Sequence, residues 1–194
     1  MEAAGLSVAS FCQALTAVVC GPGNNGGDGL VCARHLHRSA RLASVSSVDS
    51  SKYRGPAAVA REEIQREGVT VFTELKLDQA EVVVDAIFGV GLSRPPEGRF
   101  AEWISDINSA RKRVVAIDVP SGLDADTGAA YDPCVRADVT VTFGLPKKGL
   151  LVGDGPRLAG EVWVADIGIP KDAYVALGIE VPDWLFSQAS AVKL

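Results

Sequence analysis

Short apolar runs alternate along the chain with longer amphipathic stretches. The first run, Thr16–Cys20 (TAVVC), has the length and continuity of a buried strand. From Leu30 to Arg41 the apolar spacing becomes that of a helix, with Leu30, Ala33, Leu36 and Ala40 on one face and Arg34, His35 and Arg38 away from it. The alternation continues with a strand at Leu42–Val48, a helix at Tyr53–Glu67 and a short strand at Val69–Phe72. A strand entering Gly89 from Glu81 follows, then a helix at Phe100–Ala110. Strands at Arg113–Val119, Ala137–Gly144 and Glu161–Gly168 complete the set. All are rich in β-branched residues and nearly unbroken in hydrophobicity, as required when helices cover both faces of a sheet. The pattern predicts an α/β chain folded as a three-layer α/β/α sandwich around a mostly parallel sheet. No repeat, low-complexity tract or internal linker interrupts it, so residues 1–194 read as a single domain. The closing SQASAVKL is weakly patterned and predicts a frayed end.

Composition narrows the partners. The 194 residues carry a formal net charge of -5, which argues against a basic nucleic-acid surface. No apolar run reaches the ~18–20 residues that cross a bilayer. The apolar opening MEAAGLSVASFCQALTAVV lacks a basic leader and does not read as a signal peptide. Cys12, Cys20, Cys32 and Cys134 have no C-x-x-C spacing and read as buried thiols of a cytoplasmic protein. With only His35 and His37 available, close together in one helix, zinc is disfavoured.

In an open parallel sheet ligands sit beyond the carboxyl ends of the strands, and three strand ends here carry candidate chemistry. The first strand runs into GPGNNGGDG, Gly21–Gly29. Its glycines allow positive φ and close approach of the main chain to a ligand, and a helix N-terminus from about Asp28 onward suits a diphosphate. Gly21-x-Gly23-x-x-Gly26 fits the dinucleotide fingerprint, and Asp49 stands near the position of a ribose-binding acid. No Gly-Lys-Ser/Thr follows, which excludes a P-loop. A plain tight turn is the bland alternative.

The second stretch, VVDAIFGVGLSRPPEG, sets Asp85 inside an apolar run, where a carboxylate must be paired, metal-bound, protonated or braced by loop N–H groups. In the third, VVAIDVPSGLDADTG, Asp118 interrupts a strand, and Pro120 ends the ladder so that Ser121 is offered to the crevice. Asp118 bracing the turn at Ser121 is the structural alternative. Asn25, Asp85 and Ser121 can supply an amide, a carboxylate and a hydroxyl oxygen. Such hard donors suit an alkali or alkaline-earth cation, and a single anionic ligand favours a monovalent one. Lys147 and Lys148 in GLPKKG follow another strand end, where a phosphate contact and a solvated basic turn are equally good readings.

GPGNNGGDG, VVDAIFGVG and AIDVPSGLD, in this order, resemble the YjeF N-terminal domain family, the NAD(P)H-hydrate epimerases, from MEAAG through FGLPKKG. The resemblance implies a Rossmann-like fold and interconversion of the R and S epimers of hydrated NADH and NADPH, which are substrate rather than cofactor. It implies that Asn24, Asn25, Gly26, Gly27 and Asp28 bind the hydrated dinucleotide. It likewise implies that Gly89, Val90, Gly91, Leu92, Ser93, Arg94 and Pro95 form a second wall and that Asp118 contacts the substrate. It further implies one potassium ion held by Asn25, Asp85 and Ser121. Asp118 is then the candidate acid/base, assisting departure and return of the hydroxyl while the ring nitrogen lone pair expels it. The family adds a homodimer, often built with helix that precedes the position of MEAAG, and Ala3 stands where an asparagine is common. It also adds coupling to an ATP- or ADP-dependent dehydratase, so the chain reads as a stand-alone epimerase or as part of a two-domain protein. A non-catalytic scaffold of the same fold and an NAD-dependent oxidoreductase are the competing readings. The first would be expected to lose the oxygen donors kept here, and the second lacks an evident His or Tyr–Lys hydride-transfer partner.

Overall fold

The computed structural model describes residues 1–181 and 189–194. The first half of the chain runs α1 (Glu2–Ser10), β1 (Thr16–Cys20), α2 (Asn24–Arg38), β2 (Leu42–Ser46), α3 (Gly55–Arg66), β3 (Val71–Phe72) and β4 (Val82–Ala86). There follow α4 (Arg99–Ser109), β5 (Arg113–Ile117), β6 (Val139–Phe143), α5 (Gly155–Leu158), β7 (Glu161–Ala165), α6 (Lys171–Ala176) and β8 (Ala191–Lys193). The strands form one sheet in the order β3-β2-β1-β4-β5-β6-β7-β8, parallel throughout except for β8. The central strands β1 and β4 are buried at every position, which explains why their sequences show no polar alternation.

Two apolar clusters make the three layers. On one face α1, α2 and α3 bring Val8, Leu30, Leu36 and Ile64 onto Val18, Val84, Val115 and Val141. On the other, α4 brings Trp103, Ile104 and Ile107 onto Val19, Val83 and Val114. Each fully buried Leu or Ile contributes about 1.5–3 kcal/mol. Arg34, buried on α2, donates to Glu2 on α1 and Glu63 on α3, which joins the three helices of the first layer.

Several boundaries differ from those the pattern predicts. The helix expected at Leu30–Arg41 spans Asn24–Arg38, so the two asparagines are its first residues rather than loop. It stops early because Ala40 turns left-handed (φ 54°), with Ala40 N–H donating to His37 O and Arg41 N–H to Leu36 O. That is a Schellman stop built without glycine. Helix α1, absent from the pattern analysis, packs Gly5 directly against Val31 of α2. The tail expected to fray contains β8, whose Ala191–Lys193 pair antiparallel with β7 while Lys193 meets Glu161 at 2.9 Å. Residues 187 and 188 of that tail lie outside the described residues. Cys12, Cys20 and Cys32 are buried, Cys134 is half-buried, and all four thiols are free. Among the described residues, no helix is long and apolar enough to cross a membrane.

Candidate active site

The strand order reverses between β1 and β4: the chain leaves β1 toward β2 on one side and leaves β4 toward β5 on the other. At such a switch point the two connections part and leave a crevice above the carboxyl ends of the strands. The crevice here is a cavity of about 460 Å³. Residues 22–25 and 28 line it from the first connection, residues 87–92 from the second, and Asp118 from the end of β5.

The glycines of the first connection do not serve the positive φ that the sequence suggests, since none of the five in Gly21–Gly29 adopts one. They serve close approach. A Cβ on Gly21 would sit 2.0 Å from Ile87 O, and one on Gly26 1.8 Å from Gly21 O. One on Gly29 would meet Ala86 Cβ at 2.4 Å. These contacts let the first turn of α2 lie directly against the ends of β1 and β4. The helix begins at Gly23, which has no side chain to cap it, and its first internal bond runs from Gly27 N–H to Gly23 O (3.0 Å). The N–H groups of Asn24, Asn25 and Gly26 therefore have no helical partner, and the positive end of the helix dipole coincides with them. Such a terminus accepts a phosphate or diphosphate.

Asp28, one turn further on, faces the same cavity. Burial, with the nearby Asp118 charge adding to it, leaves its carboxyl raised to about 6. Gly26 and Gly27 are buried behind the wall, Gly27 against Ala57 of α3, and do not line the cavity. On the second connection Gly89, Val90, Gly91 and Leu92 line it, whereas Ser93, Arg94 and Pro95 are exposed outside the lining. Asp49 accepts the Ser51 N–H (2.9 Å) and caps the turn Ser50–Lys52, which accounts for it without a ribose.

Asp85 and Ser121 meet beneath this cavity. Both are fully buried. Asp85 Oδ2 accepts from Ser121 N–H (2.8 Å), and Oδ1 accepts from Ser121 Oγ (2.6 Å) and Ile87 N–H (3.2 Å). Ser121 Oγ in turn accepts from Phe88 N–H (2.8 Å). The serine therefore does not project into the crevice, as its sequence position suggests, but ties the second and third connections together under it. Burial pushes the Asp85 carboxyl up to about 6, against the three bonds to it, and no ion pair to it exists among the described residues. A buried carboxylate without a cation is costly. Asn25 packs against Gly89, whose Cβ would lie 3.1 Å from the amide oxygen, and its buried amide nitrogen has no partner among the described residues. Asn25 forms no hydrogen bond to Asp85 or Ser121. A carboxylate without a counter-charge, a hydroxyl and an amide oxygen, with no thiolate or imidazole, are the donor types a monovalent cation takes, although the unpartnered atom of Asn25 is its nitrogen, which a cation does not satisfy.

Asp118 follows the last residue of β5 with φ 67°, a conformation that costs a non-glycine residue about 1 kcal/mol or more. Val119 N–H donates to Ile117 O (2.8 Å) across it, closing a three-residue γ-turn of the rare, strained hand. The turn points the carboxylate out of the sheet into the cavity. Its partners are not Ser121 but Thr142 Oγ1 (3.0 Å) and Lys147 Nζ (2.6 Å), both on Oδ1. Sequence reasoning missed Thr142 and left Lys147 undecided. The VTVT alternation of β6 held a signal, since it sets both Thr140 and Thr142 on one face of a central strand, where a hydroxyl must find an acceptor. Lys148 is exposed.

Residues 1–149 match the family described as YjeF-related protein N-terminus. The chain is 44% identical over 188 residues to the bifunctional NAD(P)H-hydrate repair enzyme Nnr of Thermofilum pendens, covering 88% of this chain and 36% of that protein. It is 42% identical over 151 residues to the NAD(P)H-hydrate epimerase of Limosilactobacillus fermentum, covering 77% of this chain and 73% of that protein. The chain thus spans about a third of the length of the bifunctional relatives it matches. Over its full length it superposes on the crystal structure of yeast ynu0, YNL200c, with a TM-score of 0.80 at 27% identity, covering 88% of that chain.

Proposed function

Because the chain belongs to the family of YjeF-related N-terminal domains, we propose that it is an epimerase that interconverts the R and S forms of hydrated NADH and NADPH. The observation that carries this reading is the opposition, across one cavity at the β1/β4 switch point, of an uncapped helix N-terminus and the strained Asp118. The first recognises a diphosphate and the second offers a carboxylate to the ring beyond it. Epimerisation needs the hydroxyl-bearing carbon to lose its configuration and regain the opposite one. Expulsion by the ring nitrogen breaks the C–O bond, the departing oxygen takes a proton, and water adding to the other face gives a proton back. Asp118, whose strained turn aims it into the cavity, is the group assigned to handle those protons.

Asn25, Asp85 and Ser121 are the residues that would hold a potassium ion, which when bound supplies the positive charge that the buried Asp85 lacks. Its role in this reading is to tie the three connections. The naming of relatives as bifunctional repair enzymes supports functional coupling to an ATP- or ADP-dependent hydrate dehydratase. A homodimer and a cytoplasmic setting, where the buried thiols stay reduced, belong to the same proposal.

The test is to mix the protein with the isolated R epimer of hydrated NADPH and follow conversion by chromatography, with and without potassium. Asp118→Asn should cut the rate by ~100-fold or more while leaving the fold intact, since asparagine tolerates the left-handed conformation better than most residues. Binding without conversion by the unaltered protein would make the domain a scaffold, and near-normal turnover in the variant would remove Asp118 from the chemistry.

A further inference from the structure

The connection after β6 bends back on itself. Gly144 turns left-handed (φ 70°), Leu145 N–H closes onto Phe143 O (2.8 Å), and Pro146 stiffens the next step. The result returns the Lys147 side chain to the strand it has just left. Its Nζ donates to Phe143 O (2.9 Å) and reaches Asp118 Oδ1 at 2.6 Å. Thr142 donates to the same oxygen. Both protein donors therefore converge on Oδ1, and among the described residues no hydrogen bond to Oδ2 is formed. The side chains of Lys147 and Asp118 are only 22% and 13% exposed, so the pair is partly sheltered from screening. A solvated basic turn would show neither the convergence nor the shelter, and Lys148, the adjacent lysine, is exposed and has no such partner among the described residues.

We propose that Lys147 is a positioning residue for Asp118: it anchors Oδ1 and leaves Oδ2 as the oxygen that exchanges a proton with the substrate. The inference rests on the epimerase reading for its chemistry. The strained turn at Asp118 aims the carboxylate at the cavity but does not fix its rotation about the side-chain bonds. The ammonium and the Thr142 hydroxyl do, by holding one oxygen from the side of β6. The ammonium also supplies the counter-charge for a carboxylate that shares its cavity with Asp28 and, when substrate is bound, with a diphosphate. Lys147 then acts on turnover through Asp118, not on binding through the phosphates.

The experiment compares Lys147→Met, Lys147→Arg and Lys148→Met with the unaltered protein, using the R epimer of hydrated NADPH. Methionine keeps the apolar stem and removes the charge. K147M should lower kcat by about 100-fold with KM unchanged, which marks an interaction used in the transition state. K147R, which restores a cation of similar reach, should recover part of that loss. K148M should change neither constant. A K147M enzyme with kcat intact, or with KM raised and kcat intact, would overturn the proposal; the latter would instead make Lys147 a phosphate contact. The crystal structure of K147M gives a second readout that needs no turnover: the proposal expects the Asp118 carboxylate to leave its present rotamer or to occupy several. A single unchanged rotamer would overturn it. If the unaltered protein does not epimerise, the functional reading fails while this structural readout still decides the positioning claim.

Discussion

Gly26→Ala measures what the glycine-rich connection is for. A methyl there would start 1.8 Å from Gly21 O and 2.7 Å from Gly21 C. Both are backbone atoms, held by the Gly21 N–H bond to Ala86 O (3.0 Å). No side chain can swing aside, so the first turn of α2 must retreat from β1 by more than an ångström. Overpacking of this kind costs about 1–3 kcal/mol and sometimes more, and the rigidity of both partners puts the value near the top, at about 3 kcal/mol. Alanine is intrinsically better in a helix than glycine by about 1 kcal/mol at most, so the clash wins by about 2 kcal/mol. For a domain of this size each kcal/mol moves Tm by about 2–4 °C, and G26A should melt about 4–8 °C below the unaltered protein.

Gly23→Ala is the control in the same segment. Nothing lies within 4 Å of its Cβ position, and its φ of -87° is ordinary. Replacing a glycine N-cap by alanine should cost about 0.5–1 kcal/mol, so G23A should melt no more than about 2–4 °C below the parent. Residue 23 does line the cavity, however, and G23A should weaken binding of the dinucleotide. Differential scanning calorimetry and a binding titration on both variants separate the two roles. If G26A melts with the parent, or if G23A falls as far as G26A, the argument from close approach is wrong.

Two further outcomes follow from the buried charges. Exchanging choline for potassium at constant ionic strength should stabilise the unaltered protein by about 2.7 kcal/mol once the ion is at a hundred times its Kd, and Asp85→Asn should abolish that gain; an equal Tm rise in both proteins would place no cation at Asp85. The Asp28 carboxyl is raised to about 6 on folding, so the protonated form is the one folding favours and the benefit is lost as pH rises from about 4 through about 6. Melting curves from about pH 4 to pH 7 should therefore show Asp28→Asn gaining on the parent, by at most about 3 kcal/mol, and parallel curves would show that burial does not penalise this charge.

Sequence patterning reveals the sheet more readily than the site because the two depend on different information. β1, β4 and β5 are legible because burial on both faces demands unbroken apolar runs, and that demand is local. Loss of register with the helices is local too: the first turn of α2 was hidden by its glycines, whose low helix propensity is overridden by contact with Gly21, Ala86 and Ala57. The antiparallel β8 was hidden for the opposite reason, since an edge strand of three residues needs little pattern of its own when β7 supplies the ladder. Asp85, Asp118 and Ser121 could be singled out because a polar residue at a buried strand end is conspicuous wherever it goes. Their partners could not be named. Ser121 has the spacing of a crevice residue, yet its hydroxyl donates to the charge buried at Asp85. Lys147 has the spacing of a surface turn, yet the left-handed step at Gly144 returns it to Asp118. In both cases a charge taken out of water had to be met by a donor from another connection, and which connection comes near enough is a property of the strand order, with β4, β5 and β6 adjacent, rather than of any one segment's pattern.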